Sequence, residues 1–170
     1  GTLPLLGSGS RLGKGDTIIL ESCEYYNSYH SFSPTIAVIL DVDDDHLDFF
    51  GNLENVKKSF RAFAELTPAD GLVVANRDDA NSMSALAGLD RPLCTFGFSP
   101  EADVRPDGLI EGKGAEFDVL YRGKKWGRIR LQIPGRHNVY NALAACAAAI
   151  RLGGSPADAG RGLGALRGGG

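Results

Sequence analysis

A chain of 170 residues, 43% of them hydrophobic and 23% charged, is long enough for one ordinary globular domain with a real core. A formal charge of -3 excludes the basic footprint of a nucleic-acid binder. No apolar run approaches a membrane span, and the start GTLPLLGSGSRLGKGD lacks the charged-then-apolar order of a signal peptide. The 23 glycines follow no G-X-Y period and no segment repeats, so neither collagen nor a solenoid is indicated. A soluble cytoplasmic protein is expected. Cys23, Cys94 and Cys146 are odd in number with no C-x-x-C spacing, and are expected to be reduced and buried.

In chain order, Gly13-Lys14 invites a phosphate-loop reading that the spacing rejects. The first glycine of G-x-x-x-x-G-K-[ST] would fall on Ser8, and Gly15 follows the lysine. Thr17 to Glu21, TIILE, reads as a short buried strand that delivers Glu21, Cys23 and Glu24 at its end. Pro34 to Phe50, PTIAVILDVDDDHLDFF, opens with a continuous apolar run, the signature of a central strand buried on both faces of a parallel sheet. Its hydrophobicity stops at Asp41, and Asp43, Asp44, Asp45, His46 and Asp48 follow at the strand end where open α/β sheets bind ligands. An acidic surface loop leading into a helix is the alternative.

Asn52 to Leu66 reads as an amphipathic helix whose Leu53, Val56, Phe60, Phe63 and Ala64 stripe belongs to the core rather than to a cofactor. Leu72 to Ala75 makes a third strand, Ala80 to Gly88 a helix and Pro92 to Phe98 a fourth strand. From Asp103 to Ile133, short alternating runs split by turns such as Arg122-Gly123 predict an antiparallel meander, with Arg122, Lys124, Lys125 and Arg128 on a solvated face. A small-residue helix then starts near Arg136 or His137 and runs to Ile150, and Ser155-Pro156 opens a last helix that fades near Leu166. Residues 167–170 are expected to be a disordered end. The fold class is therefore α/β: a mostly parallel, doubly wound sheet with flanking helices plus a small meander.

Asn138 and Asn141 share one face of the alanine-rich helix at its first turns. Their amides carry the donor and acceptor pair that reads an adenine edge, although asparagine also caps helices. Glu21-Ser22-Cys23-Glu24, the acidic strand end and Gly135-Arg136-His137-Asn138-Val139-Tyr140-Asn141-Ala142-Leu143-Ala144-Ala145 together resemble the central ATP-binding domain of the Mur ligases. The matching family patterns are E-x-C/D-E, P-x-I-A-V-I-x-N-I-x-x-D-H-x-D-Y-F and G-x-H-N-x-x-N-x-x-A-A.

The resemblance implies a P-loop-type α/β core, ATP and magnesium as cofactors, and a part in peptidoglycan precursor and cell-wall synthesis. It implies that Glu21 and His46 help hold magnesium, that Asn138 and Asn141 contact adenine, and that His137 is their neighbour. Within the family the likeness is strongest to members acting on UDP-N-acetylmuramate and L-alanine, which activate a carboxylate as an acyl phosphate and form an amide. Residues 1–170 then read as one incomplete domain. The glycine-rich phosphate loop, the UDP-sugar domain and the carboxy-terminal amino-acid domain are expected outside it, and the chain alone is expected to be inactive. Asp41 stands where the family has asparagine. Three alternatives remain: a metal-dependent α/β phosphohydrolase built on the Asp41 to Asp48 cluster, another Mur-type amide ligase, or a non-catalytic module with acidic surface loops.

Overall fold

Side chains along Leu72-Val73-Val74-Ala75 point alternately to two separate cores, and this alternation sets the layering. Leu72 and Val74 face one cluster, Val73 and Ala75 the other, and all four are buried. A strand can be apolar throughout only when both of its faces are covered. The computed structural model describes residues 13–167; the glycine- and serine-rich start, with the rejected loop position at Ser8, and the terminal glycines lie outside the described residues.

The elements in order are β1 (Ile36–Ile39), α1 (Leu47–Phe50), α2 (Leu53–Glu65), β2 (Leu72–Asn76), α3 (Ala80–Ala85), β3 (Leu93–Phe96), β4 (Val104–Glu111), β5 (Ala115–Tyr121), β6 (Lys124–Leu131), α4 (Arg136–Arg151) and α5 (Pro156–Gly164). A 3₁₀ segment, Tyr25–Ser31, precedes β1. One six-stranded sheet has the order β1-β2-β3-β4-β5-β6. The pairs from β1 to β4 are parallel, and the β4-β5-β6 meander is antiparallel. Helix α4 packs on one face against Phe96, Val104, Phe117 and Ile129, while α2 covers the other against Ala37, Ile39 and Val73. The α/β class and the attached meander thus stand as expected.

Helix boundaries follow local chemistry. Asn52 caps α2 by accepting from the Asn55 amide at 3.0 Å, and Ser155 caps α5 by accepting from the Asp158 amide at 3.1 Å, with Pro156 in the first turn. The β5-β6 hairpin turns on Arg122 and Gly123, both at positive φ (48° and 79°), the geometry of a two-residue turn that suits the strand twist. Arg122, Lys124, Lys125 and Arg128 lie on an exposed face as expected, and several cations of the meander are also paired across strands. Arg128 bonds both Glu116 (2.7 Å) and Asp118 (3.0 Å), Arg130 bonds Glu116 (2.9 Å), and Lys125 bonds Asp118 (2.7 Å). These bonds hold Glu116, through Arg130 first, and Asp118, through Lys125 first, below the usual carboxylate range.

Three expectations are corrected. Residues 17–21 form no strand: they are exposed, with Ile18 and Ile19 at 83% and 89%. β-branched residues favour a strand only where a ladder and a covering layer receive them, and no described strand pairs with this segment. β1 is not buried on both faces. It pairs with β2 alone among the described residues, and Val38 and Leu40 are 41% and 43% exposed because the layer that hides Val74 does not extend over them. Cys94 and Cys146 are buried, and burial pushes their thiols up to about 11 and about 12, but Cys23 is exposed.

Candidate functional site at the carboxyl edge of the sheet

The chain leaves β1 at Ile39 and is caught again at Val42, whose side chain is fully buried. The Val42 amide donates to Asp79 Oδ2 (2.9 Å), and Asn81 Nδ2 donates to the Val42 carbonyl (2.9 Å). Asp79 also caps α3, accepting from the Ser82 amide at 2.9 Å and from the Ser82 hydroxyl. One carboxylate therefore fixes both the strand-end loop and the next helix. Asp43, Asp44 and Asp45 lie beyond this anchor, exposed to solvent. Partial burial, then the charges of Asp79, Asp43, Asp45 and Glu24, hold the Asp41 carboxyl above its ordinary value.

The sign of that shift gives a test. A carboxyl raised in the folded state favours its protonated form there, so its contribution to stability is present below the unfolded pKa and is lost as pH rises through the folded one. At neutral pH the charge opposes folding. Asp41→Asn is expected to stabilise the chain at pH 7 by roughly 0.5–1 kcal/mol, small because solvent screens the site. Melting curves at pH 7 and near pH 4 should show the gain at the first and its disappearance at the second. An equal gain at both would rule out charge repulsion as its source.

His46 sits at φ 56°, in the left-handed region, at the start of α1. Tyr25 stacks on its ring (centroids 4.5 Å, planes 28° apart) and donates from its hydroxyl to Asp48 Oδ2 (3.0 Å). His46 Nε2 lies 3.3 Å from Glu24 Oε1. The Cys23 sulfur completes a group whose ligand atoms all lie within 4.8 Å of one another. Glu21 is exposed in irregular chain and lies outside that group. Tyr26 and Asn27, both at φ 54°, add two more left-handed residues beside it. The segment is held down by its next turn: buried Tyr29 shares a 2.6 Å hydrogen bond with Ser59 of α2, and Asn27 accepts from the same hydroxyl.

The second half of the site is the start of α4. β6 runs parallel to β4 after two antiparallel steps, so α4 begins at the sheet edge where β1 ends. Gly135 precedes it at φ 103°, and a Cβ there would lie 2.6 Å from the His137 ring, which folds back over it. Asn138 Nδ2 donates to the Pro134 carbonyl (2.7 Å). The other amide hydrogen and Oδ1 of Asn138 stay available, and Asn141 is exposed one turn on.

Hydrogen bonds connect the two halves. Tyr140 donates to Asp78 Oδ2 (2.8 Å), and Asp78 also accepts from the amides of Phe98 (2.6 Å) and Ser99 (3.0 Å). Its neighbour Asp79 holds Val42, so α4's first turn, the β3-β4 loop and the acidic loop are braced through adjacent residues. Burial first and the Asp78 bond second raise the Tyr140 phenol above its ordinary value. Phe98 packs edge-on against Tyr140 (4.9 Å) and carries the Arg136 guanidinium 3.9 Å above its ring. Sequence reasoning missed Asp78, Asp79, Phe98 and Tyr140 as the brace. The Asp79-to-Ser82 spacing is a readable helix-cap signal, but Asp78 and Tyr140 stand 62 positions apart with no local signature.

An open α/β sheet with helices on both faces, its acidic and amide side chains gathered at the carboxyl edge of the parallel strands, has the architecture of the ligand-binding doubly wound domains. The Mur ligase middle domain matches residues 9–149, and the chain belongs to that family. It is 48% identical over 155 residues to the UDP-N-acetylmuramate–L-alanine ligase of Caldanaerobacter subterraneus, covering 90% of this chain and 34% of that protein. The enzyme of the same name from Aquifex aeolicus is 40% identical over 154 residues, again 90% of this chain and 34% of the relative. The chain thus spans about a third of the length of the curated relatives it matches. Among solved structures, UDP-N-acetylmuramate-alanine ligase MurC from Thermotoga maritima superposes with a TM-score of 0.69 at 28% identity, over 84% of this chain and 31% of that one. The UDP-N-acetylmuramate:L-alanyl-gamma-D-glutamyl-meso-diaminopimelate ligase from Neisseria meningitides gives 0.73 at 29%, over 84% of this chain and 43% of that one.

Proposed function

We propose that this chain is the ATP- and magnesium-binding middle domain of a cytoplasmic ligase that joins L-alanine to UDP-N-acetylmuramate in peptidoglycan precursor synthesis. The observation that carries this reading is the 48% identity to an enzyme of that name across 90% of the chain. The residues at the sheet edge fit the group they would hold. Asn138 keeps one amide hydrogen and its acceptor free beside exposed Asn141, the pair an adenine edge requires. The crowded carboxylates that raise Asp41 provide the field and oxygen donors that favour a divalent cation.

In this reading Asn138 and Asn141 bind adenine, His137 lies beside them, and Glu21 and His46 help hold magnesium. When bound, magnesium-ATP supplies the phosphoryl group that activates the muramyl carboxylate toward the amine of alanine. This chain's part is to position: the Asp78 and Asp79 brace keeps the nucleotide-facing helix and the cation-facing loop at a fixed separation. The chain spans about a third of the length of the ligases it resembles, and alone it is expected to give no steady turnover with ATP, UDP-N-acetylmuramate, L-alanine and magnesium.

The discriminating experiment is equilibrium binding of magnesium-ADP against magnesium-GDP, with a phosphoester substrate as a control. Selective retention of the adenine nucleotide and no phosphate release is the expected result. Phosphate release from a simple ester would favour the phosphohydrolase, and equal indifference to both nucleotides would favour the non-catalytic module.

A further inference from the structure

We propose that Cys23, Glu24 and His46 form a binding site for a borderline-soft divalent cation of the zinc class, distinct in chemistry from the magnesium of the proposed reaction. The donors are one sulfur, one carboxylate oxygen and one imidazole nitrogen, with all three ligand atoms within 4.8 Å. Thiolate, imidazole and carboxylate together are the set that zinc takes in four-coordinate sites, the fourth place going to water when the protein offers three ligands. Magnesium selects oxygen and has little use for sulfur. In a tetrahedral zinc site at ligand distances of ~2.0–2.3 Å, neighbouring ligand atoms stand roughly 3.5 Å apart. The 3.3 Å between His46 Nε2 and Glu24 Oε1 already meets that spacing, and the sulfur, within 4.8 Å of both, has at most roughly 1.3 Å to close.

The surroundings are arranged for a cation. The Tyr25 ring stacks on the imidazole and restrains its rotation with Nε2 toward Glu24. A cation between the two needs the lone pair of Nε2 and an oxygen of the carboxylate, and the thiol gives its proton to solvent as it becomes a ligand. The ligand His46 is itself left-handed, and Tyr26 and Asn27, also left-handed, flank the group. Non-glycine residues hold that conformation at a cost, which is met here by the anchoring of Tyr29 and Asn27 on Ser59. Glu24 and His46 side chains are partly sheltered, while Cys23 is exposed and open to an incoming ion. Glu24 lies close enough to Asp41 for the two charges to interact, and Asp43 and Asp45 add negative charge around Asp41.

Because His46 is also assigned to magnesium in the proposed reaction, zinc at this group would compete for that imidazole. The binding test uses neither nucleotide nor substrate, so its failure leaves the ligase reading untouched. Metal-free chain is titrated with cobalt and with zinc in millimolar magnesium. The expected result is one equivalent of cobalt with a thiolate-to-metal charge-transfer band and the absorption of a four-coordinate ion, displaced by zinc. Cys23→Ser should abolish the charge-transfer band and weaken zinc binding by ~10-fold or more, since loss of an outer-sphere partner alone costs that much. Glu24→Gln and His46→Ala should each weaken zinc comparably, with the far-ultraviolet dichroism of all three variants unchanged. A six-coordinate cobalt spectrum without the band, zinc displaced by magnesium, or a loss confined to Cys23→Ser would each overturn the site.

Discussion

Phe96→Ala is expected to lower the stability of the chain by roughly 3–5 kcal/mol, the cost of emptying a fully buried aromatic position. Phe96 ends β3 opposite Asn76 of β2 and Val104 of β4, and its side chain lies in the core shared with α4. Its backbone carbonyl accepts from the Arg77 amide (2.7 Å), so the residue stands directly below the loop that Asp78 holds. For a chain of this size the loss corresponds to a fall of roughly 6–20 °C in Tm. Urea unfolding followed by far-ultraviolet dichroism checks it, with Val38→Ala as the comparison. Val38 is half-exposed on the uncovered face of β1 and should cost less than ~1 kcal/mol. Equal losses at the two positions would mean that the α4 core does not dominate the fold.

Asp79→Ala should be the most damaging polar substitution at the sheet edge, at roughly 2–4 kcal/mol. Removing an N-cap acceptor costs about 0.5–2 kcal/mol, and leaving the Val42 amide without a partner beside a buried side chain adds about 1–3 kcal/mol. Both functions rest on one carboxylate, so the sum is an upper bound. Asp79→Asn keeps an acceptor oxygen and should recover more than half of the loss. Hydrogen exchange at the Val42 amide separates this account from a general loosening. Its protection should collapse in Asp79→Ala while that of Val73 and Val74 in β2 falls only with the global stability. Unchanged protection at Val42 would show that the bond does not hold the loop.

Much of the framework could be read from local pattern because local pattern is what builds it. The 3.6-residue apolar stripe from Leu53 to Ala64 became α2, the continuous run Leu72 to Ala75 became β2, and Ser155-Pro156 opened α5. The acidic strand end and the asparagine-bearing helix start fell at one sheet edge, as their positions after β1 and β6 require. The exposure of Thr17 to Glu21 was not readable, because apolar β-branched residues state a preference that only a neighbouring strand can satisfy. The same limit applied to Val38 and Leu40. The bracing role of Asp78 depends on Tyr140, Phe98 and Ser99, contacts between 20 and 62 positions distant that no spacing rule encodes. Cys23, expected in a core, instead lies exposed beside Glu24 and His46, a juxtaposition of two segments on either side of β1 that each carry left-handed residues.

The most direct measurement is an NMR titration of the chain with magnesium-ADP, repeated on Asn138→Ala and Asn141→Ala together. The expected result is amide shifts concentrated at residues 135–141 and the Asp41 to His46 loop, with the double variant binding at least ~10-fold more weakly, the scale of a lost two-bond base contact. Shifts elsewhere on the sheet, or an affinity indifferent to both asparagines, would contradict the placement of the nucleotide at the start of α4.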